Sequence, residues 1–367
     1  MKLALFFTEA VSLDTWDKGG MLSREIRPYL ELKSFFEEIY FVTYGKNDLK
    51  YADKVGQGIT ILPKKLNIPN RLYSLLVPFI YHQELHSCGI FKTNQMLGSW
   101  SAVLAKIVYR KLLVVRCGYQ LSQSPQNWNM GPVKKFLAYL IEFVSYKMAD
   151  AIILTSKLAQ DYVCKRYRID ENKVSVLSNY VDTNLFRTLA VPKFTNSIIF
   201  VGRLEKEKNL DSLIKALVGT NYTLDIVGVG GLEGYLKDLA QSLRIKVNFL
   251  GKIPNENLSQ ELCKHEFFIL PSFYEGNPKA LLEAMACGLV VLSSNIPGIN
   301  DIISNGNNGF LCGTGSEAIK VALQKITIEV GARKIVSENA RQYVIDNCGL
   351  PNIIAKEKSI YNKLRVN

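Results

Sequence analysis

Short apolar runs bounded by polar or glycine-rich turns recur along this chain, and most lead into a stretch whose apolar residues return every three to four positions. The first pattern predicts buried strands, and the second predicts helices packed on a sheet. Read in order, residues 2–7, 40–44, 59–62, 90–93, 112–116, 151–156 and 174–177 are expected strands, with helices over 21–36, 100–109, 131–148 and from 157 to about 166. Between 70 and 89 lies a further apolar segment, kinked at Pro78. The polar, irregular stretch NYVDTNLF at 179–186 then breaks the rhythm and marks a domain boundary.

After the break the pattern restarts, with strands expected at 197–201, 222–227, 247–250 and 266–270 and a helix at 210–217. Residues 271–309, PSFYEGNPKALLEAMACGLVVLSSNIPGINDIISNGNNG, read as a strand end, a Gly/Pro loop, an apolar helix, a second buried strand and another Gly-rich loop. This alternation predicts an α/β fold built of two Rossmann-like, doubly wound domains. A length of 367 residues also favours two cores over one.

Composition changes this picture little, but the placement of charge changes it more. The chain is 48% hydrophobic and 21% charged, as expected of a globular protein and not of a disordered one. Of the net charge of +12, residues 1–187 carry +9 (25 Lys and Arg against 16 Asp and Glu), and the remainder carries +3. Clusters such as Lys64-Lys65, Arg110-Lys111 and Lys134-Lys135 favour an anionic partner, either a membrane surface or a phosphorylated acceptor, and a solvated basic face is the rival reading. Nucleic acid is disfavoured, because no recognition module or basic-aromatic ladder accompanies the charge. Seven irregularly spaced cysteines with no C-x-x-C predict reduced thiols in a cytosolic protein and no structural zinc. The N-terminal LALFF run suits a first strand better than a signal peptide, and no apolar run reaches the roughly 18–20 residues of a membrane span. The expected location is therefore cytoplasmic, with any contact at the inner face of the membrane being peripheral.

The candidate chemistry lies in the loops that follow the strands. Pro278 suits a helix start, because it lacks an N–H and its φ is preset. Gly276 and Asn277 before it allow backbone N–H groups to approach a ligand, and a helix N-terminus favours an anion. Glu275 in the loop and Glu283 one turn into the helix are carboxylates suited to accept hydrogen bonds from a sugar diol and a ribose diol. Arg203 and Lys208 share another strand-to-helix loop, where two cations would gather an anion. Gly228-x-Gly230-Gly231 is a weaker nucleotide signal, as is Gly19-Gly20 at the expected junction between the first strand and the helix after it. Arg116-Cys117-Gly118 closes a strand at its carboxyl end, where open α/β sheets bind ligands. His82 and His86, four residues apart, lack a third ligand and read as surface residues, and His265 before a buried strand reads as structural.

Together FVGRLEKEKN at 200–209, the glycine turn at 228–231, EGNPKALLEAMACGLVVL at 275–292 and the NYVDTNLF segment resemble the family 4 retaining glycosyltransferases of GT-B fold. The resemblance implies two Rossmann-like domains facing across a central cleft: an acceptor domain at 1–186, a nucleotide-sugar domain at 187–345, and a C-terminal helix at 346–367 crossing back to the first. By the same resemblance, Arg203 and Lys208 neutralise the diphosphate of a nucleotide-sugar donor, Glu283 holds the ribose and Glu275 orients donor-sugar hydroxyls. The backbone of Gly276, Asn277, Pro278 and Lys279 would line the sugar and phosphate, with Ala280, Gly228, Lys252 and Ile253 as further donor contacts. Gly19 and Gly20 would close on the diphosphate. The pattern departs at Cys117, where members often carry a His before the Gly, so Arg116 and Cys117 are the acceptor-side candidates.

The implied reaction is sugar transfer with retention to a lipid-linked, polysaccharide or other glycan acceptor. No D-x-D pair occurs in the chain, and two cations do the work of a metal, so metal independence is expected. Two rivals stand beside this reading: a two-domain NDP-sugar epimerase, and a non-catalytic sugar-nucleotide-binding protein. A dehydrogenase would want G-x-G-x-x-G after the first strand, and it is missing there.

Overall fold

The computed structural model describes residues 1–118, 120–122, 131–328 and 330–366. It divides into two compact units, one formed by Met1–Leu177 with Ile354–Asn367 and the other by Ser178–Ile353.

Unit 1 is built on seven parallel strands: β1 (Lys2–Phe6), β2 (Ile39–Val42), β3 (Ile59–Leu62), β4 (Cys88–Thr93), β5 (Leu112–Cys117), β6 (Ala151–Leu154) and β7 (Val174–Val176). Their order is β3-β2-β1-β4-β5-β6-β7, so the winding reverses between β1 and β4. These strands read as unbroken apolar runs because both faces of the sheet are covered, and Leu3, Ala4 and Leu5 are fully buried. The C-terminal helix, Leu350–Val366, adds a charged anchor: Glu357 accepts from Lys92 on β4 at 2.5 Å, with both side chains almost wholly buried.

Unit 2 repeats the plan with six parallel strands: β8 (Ser197–Val201), β9 (Thr223–Val227), β10 (Val247–Gly251), β11 (Phe267–Leu270), β12 (Val290–Ser294) and β13 (Phe310–Cys312). The order is β10-β9-β8-β11-β12-β13, so the reversal here falls between β8 and β11. In open α/β sheets such a reversal opens a crevice at the carboxyl ends of the two strands, and ligands bind there.

Two expectations change in physical detail. The stretch at 179–186 does not close the first unit: Val181 and Phe186 lie in the core of unit 2, and the division comes at Leu177. The stretch between β1 and Gly19-Gly20, expected as a long loop, is not all loop. A short helix, Leu13–Lys18, intervenes, started by a reciprocal bond between the Ser12 and Thr15 side chains and each other's backbone N–H. Gly19 caps its end, and Gly20 takes the left-handed φ of 66° that turns the chain into helix Leu22–Leu32.

Candidate active site

The loops after β8 and β11 flank the reversal point of unit 2 and are tied together. The Phe273 amide donates to the Glu207 carbonyl at 2.8 Å, and Asn209 Nδ2 donates to the carbonyls of Pro271 at 2.9 Å and Thr314 at 2.8 Å. Asn209 can reach both because it sits at φ 55°, a conformation asparagine tolerates better than most residues. Its Oδ1 is buried with no partner among the described residues.

On this frame Lys208 Nζ donates to Glu275 Oε1 at 2.6 Å. Ser272 Oγ donates to the same oxygen at 2.7 Å. Lys208 and Glu275 are 67 residues apart in sequence and mostly buried, so the topology, not local order, makes this pair. Arg203, in the same loop as Lys208, is exposed and holds a different carboxylate, Glu207, at 2.9 Å.

Helix Lys279–Ala286 begins directly after this loop. Pro278 is its N-cap at φ −72°, and no side-chain cap occupies the first turn, whose backbone donors have no intrahelical acceptor. Asn277 is fixed from behind: its Oδ1 accepts from the Asn179 amide at 2.8 Å and Ser178 Oγ at 3.1 Å, and its carbonyl accepts from Asn179 Nδ2 at 2.6 Å. Lys279 lies over the Tyr180 ring at 5.5 Å. Glu283, one turn on, is buried, and its Oε1 accepts from Asn255 Nδ2 at 3.2 Å. That bond joins the helix to the segment after β10, where Lys252 is exposed and Ile253 packs partly on the core.

Two glycines set the spacing of these loops. A Cβ on Gly228, at φ 135°, would lie 1.9 Å from the Gly202 carbonyl oxygen. A Cβ on Gly298, at φ 87° in the loop after β12, would lie 2.4 Å from the Glu275 carbonyl oxygen and 2.7 Å from that of Gly276. Only glycine allows these approaches.

In unit 1, Arg116 and Cys117 end β5, where alternate residues face opposite sides of the sheet. Cys117 is fully buried against Tyr146, whose hydroxyl is driven well above its usual range by burial and by that thiol. At the reversal point of this sheet the Glu9 amide donates to the Leu97 carbonyl at 3.1 Å, and burial raises the Glu9 carboxyl above its ordinary 4.5 against the pull of Arg71. Gln95 Oε1, in the loop after β4, accepts from the Gly118 amide at 2.8 Å.

Ser272, Asn209, Asn255, Gly298, Glu9 and Gln95 were not singled out from the sequence. Ser272 stands three residues before Glu275, and Asn255 follows a proline at a helix start, so both had a local signal. Glu9 and Gln95 had none.

His82 and His86 fall on helix His82–Ser87, where His82 Nδ1 meets the Tyr109 hydroxyl at 3.0 Å. Among the described residues, one trio of metal-capable side chains gathers within 4.8 Å: Asp225, Glu261 and His265. It lies at the amino end of β11, and both ring nitrogens of His265 are engaged, Nδ1 with the Glu261 carbonyl at 2.9 Å and Nε2 with Asp225 at 3.1 Å.

A family model described as "Glycosyl transferases group 1" matches residues 181–343, and one described as "Glycosyltransferase Family 4" matches residues 37–185. The chain is similar to the capsular polysaccharide biosynthesis glycosyltransferase CapM of Staphylococcus aureus, at 26% identity over 95% of this chain and 96% of that one. It is also similar to the UDP-Gal:alpha-D-GlcNAc-diphosphoundecaprenol alpha-1,3-galactosyltransferase of Escherichia coli, at 28% identity over 62% of this chain and 64% of that one. The chain thus spans less than two thirds of the length of some curated relatives it matches, 62% and 64% in two cases. In fold it is similar to HepE of Anabaena, solved with UDP, with a TM-score of 0.80 at 16% identity over 99% of this chain and 100% of that one.

Proposed function

Since the chain belongs to the family 4 glycosyltransferases of GT-B fold, we propose that it moves a sugar from a nucleotide-diphosphate sugar to a glycan or lipid-linked acceptor, with retention and without a metal. The observation that carries this reading is the Lys208–Glu275 pair, which joins the loops after β8 and β11 at the reversal point of the unit 2 sheet.

In this reading, Lys208 gives one N–H to Glu275 and keeps two for the donor diphosphate. Arg203 adds a second cation, and the N-terminal turn of helix Lys279–Ala286, which has no side-chain cap, receives phosphate or sugar oxygens. Glu275 holds Lys208 through Oε1 and offers Oε2 to a donor-sugar hydroxyl. Glu283, oriented by Asn255, takes the ribose, and the backbone of Gly276 and Asn277 lines the sugar. Ala280, Gly228, Lys252 and Ile253 complete the donor contacts. Gly19 and Gly20 are assigned a phosphate contact in unit 1, and the half-buried Arg116 the acceptor side, whereas Cys117, fully buried beneath that strand end, is withdrawn as an acceptor contact.

As the anomeric C–O bond breaks, its electron pair passes to the diphosphate, and charge grows on the oxygen that the cations face. Stabilisation is therefore greater in the transition state than in the ground state, which is the requirement for rate enhancement. The acceptor hydroxyl attacks from the face that the diphosphate leaves, and its proton passes to the departing phosphate oxygen. The relative named for UDP-Gal and the structural neighbour solved in complex with UDP support a nucleotide-sugar donor. The undecaprenol-linked substrate of the same relative supports a lipid-linked acceptor presented at a membrane surface.

The test is release of nucleoside diphosphate from a panel of nucleotide sugars with a polyprenyl-diphosphate glycan primer, in EDTA. Turnover should persist, and NMR of the product should give the donor's anomeric configuration. Loss of turnover that Mn²⁺ restores would overturn metal independence, and the opposite anomer would overturn retention.

A further inference from the structure

Helix amphipathicity normally points large apolar residues at the core. Helices Asn70–Ile80 and Pro132–Met148 of unit 1 turn large apolar residues to solvent as well. The longer one buries Ala138, Glu142, Ser145 and Tyr146, of which Tyr146 is the one large side chain. Its solvent side carries Val133, Phe136, Leu137 and Leu140, with Val133 71% and Phe136 62% exposed. The shorter one buries Tyr73, Ser74, Val77 and Pro78 and turns Leu72, Leu75 and Phe79 outward, with Phe79 60% exposed. Both outward sets recur at helical spacing, so each forms a stripe. Helix Ser99–Tyr109 packs against both of these helices, and Ile107 and Val108 near its end are exposed too, so the three make one layer with an apolar outer face.

The charge around this face is mostly of one sign, although Lys106 is paired with Asp150 and Arg71 faces Glu9. Residues 64–81, 98–111 and 131–148 carry nine lysines and arginines and a single acidic residue, Glu142. Glu142 is buried and accepts from the Tyr167 hydroxyl, so it does not offset the cations at the surface. Apolar side chains at helical spacing, rimmed by an excess of cations that includes the exposed Lys134 and Lys135, match an anionic bilayer: the chains enter the acyl boundary and the cations meet lipid phosphates. The face also reaches the reversal point of the unit 1 sheet. Arg71 lies 3.9 Å from Glu9, and Leu97, itself partly exposed, accepts from the Glu9 amide.

We infer that the outer face of helices Asn70–Ile80, Ser99–Tyr109 and Pro132–Met148 docks on an anionic lipid bilayer and sets the carboxyl end of the unit 1 sheet at the lipid surface. This deepens the lipid-linked acceptor reading and rests on it for its purpose, but vesicle binding and nucleotide binding are separate measurements and can fail separately.

The experiment is co-sedimentation of the full chain at low salt with vesicles of phosphatidylcholine containing phosphatidylglycerol, against vesicles of phosphatidylcholine alone. Binding should require the anionic lipid. F79S with F136S should weaken it by about tenfold or more, and K134E with K135E by a similar factor. All four positions are exposed, so far-UV circular dichroism and nucleotide-induced thermal shift should match the parent chain. No sedimentation with anionic vesicles, or binding that both variants leave unchanged, would overturn the inference. A concentration-dependent dimer that F79S with F136S abolishes, without vesicle binding, would overturn it in favour of a second copy on this face. Vesicle binding with no nucleotide-induced shift would leave the docking face standing and count against the donor reading.

Discussion

Lys208 is the residue on which the proposed donor site turns. Its ammonium is mostly buried beside Glu275, so Lys208→Ala removes a cation from the ligand and leaves a buried carboxylate with only Ser272 to satisfy it. Loss of one member of a buried pair costs about 3 kcal/mol or more, so both the melting temperature and the nucleotide affinity should fall. Ser272→Ala, which removes the hydroxyl that donates to Glu275, should cost about 1 kcal/mol of stability and a smaller part of affinity. Denaturant unfolding and calorimetric titration of the two variants would separate these effects, and equal affinities in both would contradict the role given to Lys208. Gly298→Ala should also act on the site without touching ligand. It adds a Cβ at a left-handed φ, within 3 Å of two carbonyl oxygens of the Glu275–Gly276 loop. A loss of about 2 kcal/mol or more is expected, whereas Gly234→Ala, in a helix with open space around it, should be neutral or slightly stabilising. A harmless Gly298→Ala in thermal unfolding would show that the loop is not held as tightly as these distances require.

At the scale of elements, the C-terminal helix is held to unit 1 by a buried charge pair. Burial alone would raise the Glu357 carboxyl, but Lys92 and the Tyr361 hydroxyl more than offset it, and its folded-state pKa lies below the ordinary 4.5. A depressed carboxylate contributes stability that is fully present above its unfolded pKa and is lost as pH falls through the folded one. The chain should therefore lose stability as the pH drops below about 4.5, and E357Q should flatten that part of the curve while lowering stability at neutral pH. Melting temperatures of both chains across the acid range would check this, and parallel curves would refute it. The elements differed in how much the sequence revealed of them. Strands such as β8 and β11 were legible because both faces are buried and the run is unbroken. Helix Leu13–Lys18 was not, because its start is fixed by a Ser-Thr side-chain exchange inside a segment with little apolar periodicity.

For the whole molecule, alternation of strand and helix was enough to foresee two parallel-sheet units. The strand order that puts β8 beside β11 is a property of the complete chain. For that reason Glu275, Glu283, Arg203 and Lys208 could be named from motif and spacing, while the bond between Lys208 and Glu275, and the separate partner of Arg203, could not. Asn255 and Gly298 were hidden for the same reason, since each acts on a loop far away in sequence. The site so assembled makes one central claim: unit 2 binds a nucleoside diphosphate through Lys208 and Glu283. Its most direct test is a thermal-shift panel of UDP-, GDP-, ADP- and TDP-sugars on the parent chain, Lys208→Ala and Glu283→Gln. One nucleotide should raise the parent's melting temperature by several degrees at saturating concentration, because a ligand at about 100 times its dissociation constant adds about 2.7 kcal/mol. Both variants should lose most of that rise, and a panel in which no nucleotide shifts the parent, or in which both variants respond as the parent does, would contradict the account.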